Sequence, residues 1–508
     1  MEAVKQHLRR GPIVASLLIA AFVAILSQTL LNVAIPPMME DLGIGESTIQ
    51  WLITGYMLVN GILVPISAFL IERFSTRQLF MWATGLFAAG TLMCALAPGF
   101  DVLLAGRLIQ ASGAGILMPL MTVVFLTIFP VEQRGKAMGM MGLAMIFAPA
   151  VGPTLSGWIV EHYSWRVLFY IVLPLTIVAL VFGGISMKNV TKTSMPKLNM
   201  VSIIFSTLGF GGLLYGFSDA STDGWDSARV IVALAAGALF LILFVARELL
   251  AKRPILEFRV FKFDMFSLTT VINVIITMAM FSGMILLPIY LQNVRGITPM
   301  DSGLLLLPGA ILMGIMSPVA GAIFDKIGAR WLAVFGLLIT TITTYELSKL
   351  TLETTYNHML FLYTMRMFGM SFLMMPIQTA GLNQLPQRLN AHGSAMSQTL
   401  RNIAGALGTA LMVTIFANKA ASHGKALVLA AKIDPTDAAN AAQMQQISLE
   451  STVFGINFSF EVAMWMCLAA MVLAFFIRKT SPQADFEHTG SRQAAATAAS
   501  AGKAQSEH

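Results

Sequence analysis

PISAFLIERFSTR (Pro65–Arg77) returns as PVAGAIFDKIGAR (Pro318–Arg330), 253 residues later in a chain of 508. Proline, small residue, acid, base and terminal arginine recur in register. Each copy stands where a long apolar run ends and charge begins. A chain that repeats itself at half its length, each copy closing an apolar run, implies two halves of one membrane architecture.

Composition supports that reading. Hydrophobic residues make up 56% of the chain and charged residues 11%, against about 25% charge in a soluble protein. One soluble core could not hide so much apolar surface, so lipid must solvate part of it. The net charge of +7 comes from bases dispersed at the ends of apolar runs, which argues against a nucleic-acid partner. Cys94 and Cys467 both lie inside apolar runs, without disulfide or metal-ligand spacing. No cofactor is expected. The first apolar run continues past Arg9 and Arg10 without a small-residue cleavage site, so it reads as a membrane helix and not as a signal peptide.

A bilayer core needs about 20 mostly apolar residues per helix. Fourteen runs meet this, the first at 12–35 and the last at 454–477. None alternates as a barrel strand would, and only helices or closed barrels span lipid. Placing the N-terminus in the cytoplasm puts 22 of the 32 Lys and Arg on the inner side, with both termini inside. A second echo, Arg134, Ala137 and Gly139 against Arg388, Ala391 and Gly393, agrees with a repeat unit of six helices. The expected organisation is an all-α polytopic membrane protein of four parts: a six-helix bundle over 1–190, two inserted helices over 191–260, a second six-helix bundle over 261–480, and a disordered tail over 481–508. The second bundle carries a long outer segment at 418–452, which has the makings of a short helical hairpin around Pro435.

These residues resemble the major facilitator superfamily, in particular its fourteen-helix drug:proton antiporters, over about residues 12–478. Gly321, Asp325, Lys326, Gly328 and Arg330 match that superfamily's loop motif. In the first copy Ala68, Glu72 and Ser75 replace the usual Gly, Asp and Gly, while Arg73 and Arg77 are kept. Arg107 to Gly113 resembles the helix 4 motif, whose arginine the family implicates in proton transfer. Gly152, Pro153 and Gly157 resemble the helix 5 antiporter motif. Trp165-Arg166 and Arg401 to Gly408 also resemble this subfamily. In the helix 1 motif, Ser27 stands where relatives carry aspartate, and the run Gln28 to Asn32 leans toward the branch with lincomycin-resistance exporters. The resemblance implies a proton-coupled multidrug efflux antiporter of the bacterial cell membrane, working as a monomer by alternating access and exporting amphipathic toxic compounds or antibiotics. An exporter of a physiological metabolite or lipid-like solute is the alternative, and a membrane sensor or scaffold a second. An enzyme is disfavoured, because no phosphate-binding loop, metal cluster or catalytic triad is present.

The residues suggest roles of their own. The doubled acid–base clusters read as bridges that close the cytoplasmic side, or as topology signals alone. Gly152, Pro153 and Gly157 read as a tight, kinked seam, or as ordinary close packing. Intramembrane charge is costly and defaults to function, which singles out Arg107, Arg366, Arg401 and Glu461. Glu461 is the first candidate for proton coupling, through a pKa raised by burial, and Asp301 the second. Arg107 stays protonated and biases a neighbour. With no acid in helix 1, neutral, weakly basic or anionic amphiphiles fit better than permanent cations. Gln28, Asn32, Asn60, Gln110, Asn273, Met374 and Gln378 are candidate substrate contacts, with helix-to-helix bonding as the competing role.

Overall fold

The computed structural model describes residues 10–191, 193, 199–251, 254–431 and 440–479. The tail at 481–508 and the region around Pro435 lie outside the described residues, as does the side chain of Asn32. The described chain is helical, with no strand. The first half contains α1 (Arg10–Leu42), α2 (Trp51–Arg73), α3 (Thr76–Ala95), α4 (Phe100–Ile128), α5 (Arg134–His162) and α6 (Arg166–Ser186). Two further helices follow, α7 (Met200–Asp223) and α8 (Ala228–Leu250). The second half contains α9 (Asp264–Ile289), α10 (Pro299–Ile327), α11 (Ala329–Leu347), α12 (Tyr356–Gln384), α13 (Asn390–Ala431) and α14 (Ala441–Ala474). Among the described residues, thirteen helices are long and apolar enough to cross a bilayer. The remaining one, α11, spans 19 residues, and Arg330, Glu346 and the threonines at 340, 341, 343 and 344 lower its hydropathy.

The duplication seen in the loops runs through the packing. In the first half α1 packs on α5 and α6, α2 on α4, and α3 on α4 and α6. In the second half α9 packs on α13 and α14, α10 on α12, and α11 on α12 and α14. Each pairing recurs with eight added to both helix numbers. The apolar faces turned away from these contacts stay bare, as with Ile185, Val232, Ile242, Ile315 and Trp331. Such a belt is stable only against lipid.

The two motif copies lie at the same end of the bundle, here called the basic end, and turn the chain by different means. After α2, Phe74 is extended, and Ser75 caps α3 in a box with Gln78 at an ordinary φ of −67°. After α10, Gly328 makes the turn at φ +82°, a conformation that favours glycine. The capping box explains why serine suffices in the first copy. α12 breaks at Phe372–Leu373. Pro376 supplies the cause: it lacks an N–H for the Phe372 carbonyl, and its ring crowds that oxygen.

The halves meet along two seams of unequal character. At α5–α10, the most extensive helix pairing in the protein, a methyl group on Gly135 would lie 2.4 Å from the Gly321 oxygen, and one on Gly139 2.5 Å from the Ser317 oxygen. The matching seam, α2–α13, is shared with α7, which packs against both. Phe210 of α7 joins Ala68 of α2 and Met396 of α13 in one apolar cluster. α8 packs on the far side of α7, with Gly212 and Gly237 in backbone contact.

Candidate functional site

At the basic end, Asp325 bridges the halves. Its Oδ1 accepts the Gly135 N–H at 2.7 Å and its Oδ2 the Lys136 N–H at 2.9 Å. These are free amides of the first turn of α5, so the carboxylate caps a helix of the opposite half and meets the positive end of its dipole. The bare glycines at 135 and 321 permit this approach. Beside it, Arg134 donates to Asn383 of α12 at 3.0 Å and to the Leu126 carbonyl of α4 at 2.7 Å.

The first motif copy makes the equivalent bridge differently. Glu72 faces Nε2 of His392, in the first turn of α13, at 2.9 Å. Nδ1 of the same ring accepts the backbone N–H of Glu257 at 3.3 Å. An acceptor at Nδ1 leaves the proton on Nε2, so the neutral ring donates to Glu72. His392 thus ties α2, α13 and the segment between α8 and α9 together. Ser394 adds a bond to the Pro119 carbonyl of α4 at 3.4 Å. These five hydrogen bonds join the halves directly at this end.

The other motif residues do not cross between halves. Arg77 donates to the Gly184 carbonyl at the end of α6 at 2.8 Å, and Arg330 to the Ile477 carbonyl just past α14 at 2.7 Å. Each stitches its own bundle, in matching places. Arg73 and Lys326 are exposed. The helix 5 motif also works within one half. A methyl group on Gly152 would lie 2.2 Å from Thr29 Oγ1, and Ser156 donates to the Leu30 carbonyl at 2.5 Å. Pro153 and Gly157 are half-buried. The tight seam expected at Gly152, Pro153 and Gly157 therefore faces α1, and the close contact between halves falls to Gly135, Gly139 and Gly142.

Two buried arginines organise the bundle cores. Arg107 is 1% exposed and donates to Gln110 Oε1 at 2.5 Å and the Leu52 carbonyl at 3.4 Å, with its guanidinium over the Tyr56 ring. The amide nitrogen of Gln110 then donates to Ser27 at 2.9 Å and Thr91 at 2.8 Å. In the second half Arg366 makes the corresponding contacts itself, donating to Ser282 at 3.1 Å and Thr344 at 3.1 Å. Ser27 and Ser282 stand on α1 and α9, and Thr91 and Thr344 on α3 and α11. The duplication thus reaches individual hydrogen bonds. Gln110, expected at the substrate, belongs to this core network.

The proposed coupling acids sit elsewhere than burial would require. Glu461 is exposed and shares the outward face of α14 with Phe454, Trp465 and Val472. Its position corrects the expectation of a carboxylate inside the bundle, because residues at that helical spacing point away from it. Asp301 is also exposed, accepting from the Thr298 hydroxyl at 2.8 Å in the first turn of α10. Among the candidate substrate contacts, Gln28, Asn60, Asn273 and Met374 are half-buried and Gln378 is buried. At the opposite end Asp41 accepts from Arg166 at 2.8 Å and from the Trp165 indole at 2.9 Å. Those bonds hold its carboxyl below the usual carboxylate range.

The sequence reading missed His392, Asn383 and the pair Gln398 and Asn402. The last two flank Arg401 at positions i−3 and i+1, and a polar trio on one turn of a membrane helix was the available signal.

The family model described as Major Facilitator Superfamily matches residues 17–409. A transporter of Bacillus subtilis (strain 168) named "Uncharacterized MFS-type transporter YhcA" is 50% identical over 487 residues, covering 91% of this chain and 92% of its own length. The "Lincomycin resistance protein LmrB" of the same organism is 44% identical over 476 residues, covering 93% and 97%. Among solved structures, the proton:xylose symporter XylE superposes with a TM-score of 0.59 at 13% identity, covering 92% of this chain and 96% of its own. The human organic anion transporter MFSD10 gives 0.59 at 12% identity, covering 90% and 99%. At those identities the likeness is one of fold.

Proposed function

We propose that this chain, which belongs to the major facilitator superfamily, is a proton-coupled efflux antiporter that exports amphipathic toxic compounds by alternating access. It is a multi-pass protein of the bacterial plasma membrane. In this reading the basic end is cytoplasmic, both termini lie inside, α11 is the fourteenth span, and the unit is a monomer. The relatives named for lincomycin and multidrug resistance support drug export.

The observation that carries the reading is the cluster of direct bonds between halves at the end that bears both motif copies. A bundle latched at one end has two natural states. Latched, the cytoplasmic side is shut and substrate leaves outward. Unlatched, the halves rock about the α5–α10 and α2–α13 seams and the cytoplasmic side opens. Asp325 links this motion to protons. As a carboxylate it holds two amides of the other half. Protonated, it loses its charge and one acceptor, and the latch weakens. A proton entering from outside would thereby open the cytoplasmic side and then leave into the cytoplasm. Substrate binds in its place and is expelled when the latch re-forms.

The test is transport by the purified full-length protein in vesicles under an imposed pH gradient. The panel is lincomycin with neutral, anionic and cationic amphiphiles. At least one compound should accumulate only while the gradient lasts. Accumulation indifferent to a collapsed gradient would refute proton coupling, and failure to move any compound would refute drug export.

A further inference from the structure

A turn of α13 presents hydrogen-bond donors that, among the described residues, no acceptor receives. Arg401 donates to Gln398 Oε1, and the Gln398 amide nitrogen donates to Asn402 Oδ1 at 3.1 Å. A guanidinium can only donate, so it fixes which way Gln398 points, and Gln398 in turn fixes Asn402. Both amide oxygens of the chain are used. What remains is the rest of the Arg401 guanidinium and the Asn402 amide nitrogen, a cationic surface of donors alone.

The surroundings supply no acceptor of matching charge. Among the described residues, no carboxylate bonds Arg401, Arg107 or Arg366. Leu400 and Ile403 pack toward the apolar cluster with α7. Gly405 and Gly408 lie against Phe281 and Met278 of α9. Gln398, Arg401 and Asn402 are all half-buried, so the trio is neither sealed in a core nor free in water. Arg401 lies eleven residues into α13, about 16 Å from its start, near the middle of a bilayer core of about 30 Å. A charge at that depth without a partner is costly and marks a pathway.

We propose that Gln398, Arg401 and Asn402 form a binding site for the anionic group of an amphipathic substrate, such as a carboxylate or sulfonate. Arg401 supplies charge and paired donors, and Asn402 a further donor from the next residue. Arg107 and Arg366, buried in the two bundles, add positive potential that disfavours permanent cations. The phosphate of a lipid headgroup has the same chemistry but resides at the membrane surface, not at this depth. The proposal takes the transport reading as its setting and names the substrate class.

Two dyes on the same xanthene frame test it: anionic carboxyfluorescein and cationic rhodamine 123. Equilibrium binding to the purified full-length protein, measured by polarisation without any gradient, should favour the anion by tenfold or more. Arg401→Met should weaken carboxyfluorescein at least tenfold and leave the weak rhodamine binding and the melting temperature near wild type. Asn402→Asp, which places a competing carboxylate beside Arg401, should do the same and serves if Arg401→Met does not fold. Equal binding of both dyes by the wild type, or unchanged anion affinity in a folded variant, overturns the site. Displacement of carboxyfluorescein by phosphatidylglycerol, but not by phosphatidylcholine, would make it a lipid site and also overturn the proposal. Binding that depends on Arg401 in a protein that exports neither dye would leave the site standing and count against the transport reading alone.

Discussion

Replacing Asp325 by Asn keeps the shape of the latch and removes its charge. The carboxylate holds the Gly135 and Lys136 amides with one oxygen each, at 2.7 and 2.9 Å. Asparagine can accept from one of them, while its NH2 group would face the other, donor against donor. Bonds to a charged group contribute about 1.5–3 kcal/mol each, and a charge at a helix N-terminus about 0.3–1 kcal/mol. Losing one bond, weakening the other and removing the charge should cost the latched state about 2–4 kcal/mol. Two kcal/mol is about a thirtyfold shift, enough to take a state populated at about 90% below about 25%. Labels at exposed Lys188 and Lys479, just beyond α6 and α14, report the separation of the halves by pulsed electron resonance or single-molecule transfer. The distribution in Asp325→Asn should move toward the longer distance in lipid nanodiscs. An unchanged distribution in a folded variant would show that the bridge caps α5 without setting the conformational balance.

Other substitutions separate the parts. Gly321→Ala places a methyl group 2.1 Å from the Gly135 oxygen and should open the α5–α10 seam in the same distance assay. The reciprocal Ala68→Gly, at the α2–α13 seam, should cost only about 0.5–1 kcal/mol and leave the distances alone. Gln110→Leu strips Arg107 of its side-chain partner and should destabilise the fold by about 2–4 kcal/mol, read as a fall in melting temperature. Asp41→Asn should lower the melting temperature at neutral pH. Because the Asp41 carboxyl is held below its ordinary range, its contribution is full above that range and is lost as pH falls below it through the depressed value, so the gap between wild type and variant should narrow only in acid below the ordinary carboxylate range. Glu461→Gln should leave gradient-driven efflux intact, since the side chain faces away from the bundle; a loss of coupling would restore it as the proton carrier.

Much of the architecture was legible because it is written twice. The repeated loops pointed to the doubled packing of α1–α6 and α9–α14, and apolar run lengths pointed to the helices, thirteen of which qualify as spans among the described residues; the break at Pro376 went unread. The latch was legible only in part. Asp325 and Glu72 stood out as acids in register, but their partners are backbone amides and a histidine far along the chain, brought near by helix packing that no local pattern encodes. His392 looked like one dispersed histidine among seven. Arg77 and Arg330 have no local sign that each binds a helix-end carbonyl in its own half. The outward placement of Glu461 was readable: Phe454, Trp465 and Val472 share its face at helical spacing. Charge inside an apolar run outweighed that periodicity in the sequence reading, although a charge can lie on a lipid-facing stripe.

The central claim is obligatory exchange of protons for substrate, and it is tested most directly without any pH gradient. Vesicles containing the full-length protein and an internal pH indicator are loaded with a transported compound and diluted into compound-free buffer of equal pH. Outward substrate flow should drive protons the other way and acidify the lumen, with Asp325→Asn reducing the change. Substrate loss with no movement of internal pH beyond that of protein-free vesicles would contradict the account.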